Sequence, residues 1–245
     1  MDRRGFLKTV VSAVGTAGGS LLLDSPARAT ESRAGTELMG VLVDTTRCIG
    51  CRGCEEACAE ENGLPVPDID SPGWDDVFEK RRNPSVTQYS VVNRFGDDEE
   101  IFVKKQCMHC NQPACAAACL TKAMLKTDEG PVIWREDKCM GCRFCMLSCP
   151  FDIPKFEYDK AVPRIMKCHL CFERLNDDEE PACVEVCPEE AIVFGRRRDL
   201  LDEARTRIYT EPDDYVHHIY GEHEAGGTGW IYLAAVPFEQ LGFNT

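Results

Sequence analysis

Short apolar runs bounded by turn-forming residues recur along the chain. Val41–Val43, Val132–Trp134 and Ile192–Phe194 are rich in β-branched and aromatic residues and predict three strands. The segment "QYSVVNRFGDDEEIFVKK" predicts a hairpin that turns at Gly96-Asp97. The glycine-bounded segment "GWIYLAAVPF", residues 229–238, predicts a late strand.

Helical periodicity is confined to a few segments. Asp199–Ile208, "DLLDEARTRI", is amphipathic and predicts a helix. Cys54–Cys58 and Cys115–Cys119 each predict the first turn or two of a short helix. Gly63–Asn83 carries several Pro and Gly residues and predicts a long surface loop. Short strands mixed with short helices predict an α+β protein.

The only long apolar run, Thr9–Leu23, is too short and too rich in small residues for a bilayer span. It follows Arg3-Arg4, which resembles a twin-arginine (Tat) export signal, and precedes the cleavage-type sequence Ala27–Ala29. We therefore expect residues 1–29 to be a Tat signal peptide; a disordered or membrane-lying N-terminus is the alternative. No later segment is transmembrane in character, so we expect membrane association through a partner only.

The chain is strongly acidic, with 42 Asp and Glu against 28 Lys and Arg among 245 residues, a formal charge of −14. Nucleic-acid binding is not expected, because phosphate contacts need clustered cations. No Ser–His–Asp set, paired acid and base or open metal site emerges, so we expect no catalysis by this chain alone. His109 and the tail histidines His217, His218 and His223 are expected at the surface, and Arg196–Arg198 as a solvated charged run.

Sixteen cysteines form four quartets, with none left over. Quartets one and three share the spacing C-x2-C-x2-C-x3-C, quartet two has C-x2-C-x4-C-x3-C, and quartet four has C-x2-C-x11-C-x3-C. In order, the quartets are Cys48, Cys51, Cys54 and Cys58; Cys107, Cys110, Cys115 and Cys119; Cys139, Cys142, Cys145 and Cys149; and Cys168, Cys171, Cys183 and Cys187.

The repeat extends beyond the cysteines. "VLVDTTRCIGCRGCEEAC" (Val41–Cys58) aligns without a gap with "VIWREDKCMGCRFCMLSC" (Val132–Cys149). "QPACAAACLTKAML" (Gln112–Leu125) aligns with "EPACVEVCPEEAIV" (Glu180–Val193). We infer an internal duplication in which quartets one and three correspond, as do quartets two and four.

The spacing of quartets one and three is that of bacterial two-cluster ferredoxins, in which three cysteines bind one cluster and the fourth binds the other. Structural zinc uses two C-x2-C pairs, which suits quartet four but leaves the triple spacing unexplained. Disulfides are expected in an exported chain, yet cysteines crowded on a tight loop form poor bridges. A c-type haem needs C-x-x-C-H, which no quartet has. The spacing therefore favours iron–sulfur clusters, and Tat export of a folded protein is compatible with them.

Several longer segments carry a family resemblance: "RCIGCRGC", "EENGLP", "KKQCMHC", "KCMGCRFCMLSCPFDIPKFEY", "PACVEVCPEEAIVFG" and "YGEHEAGGTGWIYLAAVPFEQLG". The chain resembles the four-cluster ferredoxin-type electron-transfer subunits of periplasmic oxidoreductases, above all the hydrogenase-2-type iron–sulfur subunit. Subunits of molybdopterin enzymes and quinone-reducing complexes are also similar. Ala59 and Leu120 depart from the pattern, because ferredoxins have Pro there.

The resemblance implies two intertwined dicluster ferredoxin-like modules that hold four 4Fe–4S clusters. The expected segments are 30–100 with 160–195 as the first module, including an insertion, 101–159 as the second, and 196–245 as a helix and strand extension. The implied ligand sets are Cys48, Cys51, Cys54 and Cys187; Cys168, Cys171, Cys183 and Cys58; Cys107, Cys110, Cys115 and Cys149; and Cys139, Cys142, Cys145 and Cys119.

The resemblance also implies a relay of electrons in the periplasm, peripheral to the inner membrane. The expected partners are a catalytic subunit (molybdopterin-type, NiFe hydrogenase or multihaem cytochrome) and an integral-membrane quinone-interacting subunit. The hydrogenase-2-type subunit continues into a C-terminal membrane helix, whereas this sequence stops at Thr245, so we expect the membrane anchor to be a separate subunit. A free polyferredoxin shuttle and a zinc-structured binding protein are the alternatives.

Overall fold

The structure is a computed structural model that describes residues 37–96 and 100–244. The expected Tat signal at residues 1–29 lies outside the described residues, as does Asp97 in the predicted hairpin turn. Within the described part, no helix combines the length and apolar character that crossing a membrane requires.

Short strands and short helices alternate through the described residues, which confirms the α+β prediction. The strands are β1 (Met39–Asp44), β2 (Val91–Phe95), β3 (Ile101–Lys105), β4 (Met124–Lys126), β5 (Val132–Trp134), β6 (Lys155–Phe156), β7 (Ile165–Met166), β8 (Ile192–Arg196) and β9 (Trp230–Leu233). The α-helices are α1 (Gly53–Glu61), α2 (Ala114–Ala117), α3 (Phe144–Leu147), α4 (Phe172–Asn176), α5 (Ala182–Glu185) and α6 (Arg197–Thr210).

The largest sheet has the order β8-β1-β9, so its central strand comes from the start of the described chain. β8 pairs with β1 antiparallel, with Val43 opposite Ile192. β9 pairs with β1 in parallel, with Val43 opposite Tyr232. Val41–Val43 are almost completely buried, because the strand has a neighbour on each edge and cover on both faces.

The two faces of this sheet are covered differently, since alternate side chains of a strand point to opposite sides. Leu42, Ile231 and Leu233 pack against Leu200, Leu201 and Ala204 of α6. Val41, Val43, Trp230 and Tyr232 face the main core. The amphipathic helix predicted at Asp199–Ile208 is therefore confirmed, and it covers one face of the sheet.

The duplicated segments also pair in the same way. In the second copy β4 and β5 are antiparallel, with Met124 opposite Trp134. Aligning the two copies puts Met124 over Ile192 and Trp134 over Val43, which are partners in the first copy. The sequence repeat is thus also a repeat of strand register.

The predicted hairpin and loop form a lid over the same core. β2 and β3 are antiparallel, with Val92 opposite Lys104. Residues 63–83 are largely irregular, as predicted, but they contain a single 3-10 turn at Asp76–Glu79. Phe78 in that turn is buried, and its ring centroid lies 5.2 Å from that of Phe102 on β3. The loop is anchored to the hairpin by aromatic contact.

Two surface expectations need comment. His217, His218 and His223 are exposed, as predicted. The expectation of a solvated run at Arg196–Arg198 is wrong for its middle member. Arg197 donates through Nε to the Thr228 carbonyl at 2.6 Å and through Nη2 to the Gly221 carbonyl at 2.9 Å. Its guanidinium therefore ties the start of α6 to the turn before β9.

Candidate metal centres

All sixteen cysteines are free thiols in the structure. The loops of quartets one and three share a backbone conformation, as expected from their sequence repeat. Gly50 and Gly141 have φ of 72° and 71°, and Arg52 and Arg143 have φ of 63° and 62°. A Cβ on Gly50 would lie 2.5 Å from the Phe102 ring, so only glycine fits there.

Each of these loops leads directly into a short helix, because the residue before the helix has left-handed backbone angles. α1 begins after Arg52 and α3 begins after Arg143. In quartets two and four, α2 and α5 both begin after a proline, Pro113 and Pro181, whose fixed φ favours a helix start. The predicted helical turns at the C-x3-C segments are therefore confirmed.

A first cavity is lined by four cysteines of two different quartets. Three come from quartet one, namely Cys48, Cys51 and Cys54, and the fourth is Cys187 of quartet four. Burial is the largest cause that raises the pKa of the Cys48 thiol to about 11, and the nearby sulfurs of Cys187 and Cys51 contribute to the increase. The structure thus brings together residues that lie more than 100 positions apart in sequence.

A second cavity has the reciprocal lining. Three cysteines come from quartet four, namely Cys168, Cys171 and Cys183, and one, Cys58, comes from quartet one. Burial is the largest cause that raises the pKa of Cys171 to about 12, and the neighbouring sulfurs of Cys183 and Cys58 contribute to the increase. Quartets one and four therefore exchange their last members, Cys58 and Cys187, across two adjacent sites.

Quartets two and three show the same exchange through their electrostatic neighbours. Burial raises the pKa of Cys115 to about 12, and Cys107, Cys149 and Cys110 contribute further increases.

Burial likewise raises the pKa of Cys145 to about 11, together with Cys139, Cys119 and Cys142. Each of these two groups contains three cysteines of one quartet and one of the other.

These groups fit iron–sulfur chemistry. Each site offers four sulfur donors and no oxygen donor in its proposed set, and soft thiolates are the ligands that Fe–S clusters take. Burial raises the pKa of buried thiols such as Cys115 and Cys145, whereas a bound metal deprotonates a coordinating thiol outright. The donor set therefore suits a buried metal cofactor that supplies positive charge.

Comparison with known proteins agrees with this donor set. The family model of the 4Fe-4S dicluster domain matches residues 99–197. A protein of Nitratidesulfovibrio vulgaris strain Hildenborough is 46% identical over 255 residues, which cover 100% of this chain and 67% of that protein.

Two relatives carry functional names. Hydrogenase-2 operon protein HybA of Escherichia coli O157:H7 is 34% identical over 276 residues, covering 98% of this chain and 83% of that protein. This chain belongs to the family of ferredoxin-type iron–sulfur electron-transfer subunits. The iron-sulfur subunit of the nitrate-inducible formate dehydrogenase of Escherichia coli K12 is 35% identical over 201 residues, covering 78% of this chain and 66% of that subunit. The iron–sulfur subunit described here accordingly carries 4Fe–4S clusters.

A lysine that the sequence analysis did not single out lies between two of the sites of this iron–sulfur subunit. Lys104 lines both the first and the second cavity and is only 2% exposed. Burial lowers its pKa, but the thiolates of Cys54 and Cys183 outweigh burial and raise the pKa overall. The sequence contained a signal for this burial, because Lys104 and Lys105 are neighbours in a predicted strand, and successive side chains of a strand point to opposite faces.

His109 corrects a sequence prediction. It was expected at the surface, but it is 1% exposed, and its Nδ1 accepts a hydrogen bond from the Val132 N–H at 2.8 Å. Burial, followed by the charges of Lys167 and Lys126, lowers its pKa well below the usual value. The neutral ring joins the quartet-two loop to β5.

A buried carboxylate fixes the quartet-one helix in place, and sequence reasoning missed this too. Glu55 accepts from Arg82 Nη2 at 2.6 Å, from Arg52 Nη2 at 3.2 Å and from the Val92 N–H at 2.5 Å. It thereby joins α1 to the loop that precedes β2 and to β2 itself. The aligned residue in quartet three is Met146, so the repeat gave no signal for this network.

Proposed function

We propose that this iron–sulfur subunit holds four 4Fe–4S clusters and relays electrons between a periplasmic catalytic subunit and a membrane quinone-interacting subunit. The observation that carries the proposal is the reciprocal three-plus-one lining of the two cavities. When bound, the clusters supply one-electron exchange. The protein's residues hold them, exclude water and set their potentials through charge and burial.

We assign one cluster to each set of four cysteines. The sets are Cys48, Cys51, Cys54 and Cys187; Cys58, Cys168, Cys171 and Cys183; Cys107, Cys110, Cys115 and Cys149; and Cys119, Cys139, Cys142 and Cys145.

The sites form a row in this proposal. The first and second share Lys104 in their walls. The second and third are adjacent: Cys107 of the third is close enough to raise the pKa of Cys168 of the second, after the larger effect of burial. Cys115 of the third and Cys145 of the fourth belong to one apolar cluster. A row of neighbouring sites is the arrangement that a relay needs.

The shared strand register supports two ferredoxin-like modules, one with quartets one and four and one with quartets two and three. We propose residues 30–100 with 160–195 as the first module, 101–159 as the second and 196–245 as an extension. The hairpin crosses the boundary after residue 100, and both of its strands contribute to the first module's cavity, through Val92 and Lys104.

The fourth site is the proposed point of contact with a partner subunit. Cys142 is exposed, and five exposed apolar side chains lie beside the fourth set in sequence or in contact with its loop. We call these the apolar patch: Leu120, Met140, Phe144, Leu147 and Tyr158. Exposed apolar side chains that occur together are typical of protein interfaces.

The names of two relatives support the partner assignment. One is a hydrogenase-2 operon protein and the other a formate dehydrogenase subunit. We infer a catalytic subunit of the NiFe hydrogenase or molybdopterin type, with a multihaem cytochrome as the remaining candidate. We propose that the protein is exported folded by the Tat route and is peripheral to the inner membrane.

The ligand sets are tested by two cysteines of one quartet. Cys183 and Cys187 are close in sequence but belong to different sets. We expect Cys187→Ser and Cys48→Ser to remove the same electron paramagnetic resonance signal from reduced, anaerobically purified protein, and Cys183→Ser to remove a different one. If Cys183→Ser and Cys187→Ser remove the same signal, the three-plus-one assignment is wrong.

The relay is distinguished from a free shuttle by complex formation. We expect the tagged subunit to co-purify with a catalytic and a membrane subunit, and Leu147→Glu in the apolar patch to lower their recovery. Tyr209→Glu is the matched control, because Tyr209 is an exposed apolar residue on α6, outside the patch. Recovery of a monomer from the native membrane extract would favour the shuttle instead.

A further inference from the structure

Lys104 has an unusual position for a charged side chain. It lies on β3 opposite Val92, and its side chain points into the core instead of toward water. Its Nζ is buried and, within residues 37–96 and 100–244, has no hydrogen-bond acceptor. The nearest aromatic ring is that of Trp230, with its centroid 5.8 Å from Nζ. A buried ammonium without a partner is costly, so a compensating negative charge is expected beside it.

The strongest charge interactions of Lys104 are with cysteine sulfurs. The thiolates that interact with its ammonium include Cys54 in the proposed first set and Cys58, Cys168 and Cys183 in the second. The nearby carboxylate of Glu55 is already paired with Arg52 and Arg82. The two ligand sets are therefore the available counter-charge.

The half-buried Lys126 and the buried Lys167 show the contrast. Lys126 Nζ donates to the His109 carbonyl at 3.0 Å and also to the Gly130 carbonyl. Lys167 Nζ donates to the Cys168 carbonyl at 2.6 Å and also to the Val132 carbonyl. Both lysines fasten backbone segments together. The Lys104 ammonium donates to no backbone carbonyl in the described residues, so its buried charge needs a different explanation.

We propose that Lys104 is a shared electrostatic positioning residue that raises the reduction potentials of the first and second clusters together. The proposal rests on the ligand sets proposed above. Reduction of either cluster transfers one electron to it from a redox partner. That electron adds one negative charge to the cluster beside the fixed ammonium. In a buried site of low dielectric constant, the ammonium stabilises the reduced form more than the oxidised form.

The test compares neutral and charged replacements in the intact protein with its clusters bound. The variants are Lys104→Met, Lys104→Gln and Lys104→Arg, with Lys105→Met as the matched control. Lys105 is the next residue on the same strand but is partly exposed and donates to Asn83 Oδ1 at 2.7 Å. Iron and acid-labile sulfide are counted first, and midpoint potentials are then measured by redox titration followed by electron paramagnetic resonance.

We expect two of the midpoint potentials to fall in Lys104→Met and Lys104→Gln. The expected loss is at least tenfold in the equilibrium constant for reduction, which is about 59 mV for a one-electron couple. Lys104→Arg should keep potentials near the wild-type values, because the charge remains. Lys105→Met should leave every potential unchanged.

Unchanged potentials in a fully loaded Lys104→Met protein would overturn the proposal, as would equal shifts of every cluster. If both neutral variants lose two clusters while Lys104→Arg retains them, the counter-charge role is supported; if Lys104→Arg also loses them, it is overturned. Failure of the ligand sets themselves is recognised separately, because the Cys48, Cys183 and Cys187 variants then give the wrong pattern of lost signals.

Discussion

Quartets one and three share a loop conformation and lie in very different surroundings. The region of quartets one and four packs against the β8-β1-β9 sheet, the hairpin and the loop at residues 63–83, and its cysteines are buried or half-buried. The region of quartets two and three has only two-stranded sheets, an exposed Cys142 and the apolar patch, in which Leu147 is 83% exposed. We call these the one–four region and the two–three region.

The aligned residues explain the difference. Glu55, which is buried and paired in the first copy, corresponds to Met146 in the second, and Glu56 corresponds to the exposed Leu147. The cysteine spacing and the glycine fix the loop, while the residues between the cysteines decide what packs on it. Duplication therefore preserves the donor geometry, and divergence of the neighbours changes burial, which is one determinant of cluster potential.

The largest contrast is expected from matched ligand replacements. Cys54 and Cys145 occupy the same place in their quartets. We expect Cys54→Ala and Cys145→Ala each to lose the iron of one cluster, because metal binding and ligand geometry are coupled. Cys54→Ala should also lower the thermal unfolding midpoint more, since Cys54 lies in the main core. Equal midpoints in circular dichroism melts would contradict the comparison.

The next contrast is between Glu55→Ala and Met146→Ala. Removing Glu55 leaves Arg52 buried without its carboxylate, which costs about 3–5 kcal/mol for a buried ion pair. Met146 is only partly buried, so its truncation should cost about 1–2 kcal/mol. Chemical unfolding of the cluster-bound proteins measures both. Glu60→Ala, at an exposed position of α1, is the control. A similar loss of unfolding free energy in Glu60→Ala would show that the Glu55 effect does not come from its buried ion pairs.

A smaller effect is expected from His109→Leu in the two–three region. The equivalent residue in quartet four is Leu170, so the variant makes the two loops more alike. It leaves the buried Val132 N–H without its acceptor, at a cost of about 1–3 kcal/mol. The same unfolding measurement applies, with the exposed His217→Leu as control. An unchanged stability would mean that water replaces the imidazole.

The smallest effect is expected from Tyr215→Phe in the one–four region. Tyr215 donates its hydroxyl to Asp44 Oδ2 at 2.8 Å, and Arg207 on α6 donates to the same oxygen at 2.9 Å. Removing the hydroxyl should cost about 0.5–1.5 kcal/mol. Amide hydrogen exchange should accelerate in β1 and remain unchanged in β5. Acceleration in both strands would show that the two regions unfold together.

The sequence was informative wherever the chemistry repeats. The strands at Val41–Val43, Val132–Trp134 and Ile192–Phe194 and the short helices after the C-x2-C loops were predicted from local pattern, and each is present. An iron–sulfur cofactor followed from the spacing, because few other sites need three cysteines at intervals of three residues, and its 4Fe–4S type followed from the family resemblance.

What local pattern could not give depends on distant partners. The parallel pairing of β1 with β9 joins segments almost 190 residues apart. His109 is buried and accepts from the Val132 N–H, and the half-buried Arg197 donates to the carbonyls of three residues in the turn before β9. Lys104 is buried because two groups of thiols meet at one strand. Each of these outcomes is set by the assembled fold.

The pairing of β1 with β9 has a consequence for synthesis. A ribosome releases β1 long before Trp230–Leu233 emerge, so β1 lacks one of its two neighbours until those residues have been synthesised. The proposed first site also needs Cys187, whereas every cysteine from 107 to 149 is already available by then. Nascent chains should therefore acquire iron in the two–three region first and at the proposed first site last.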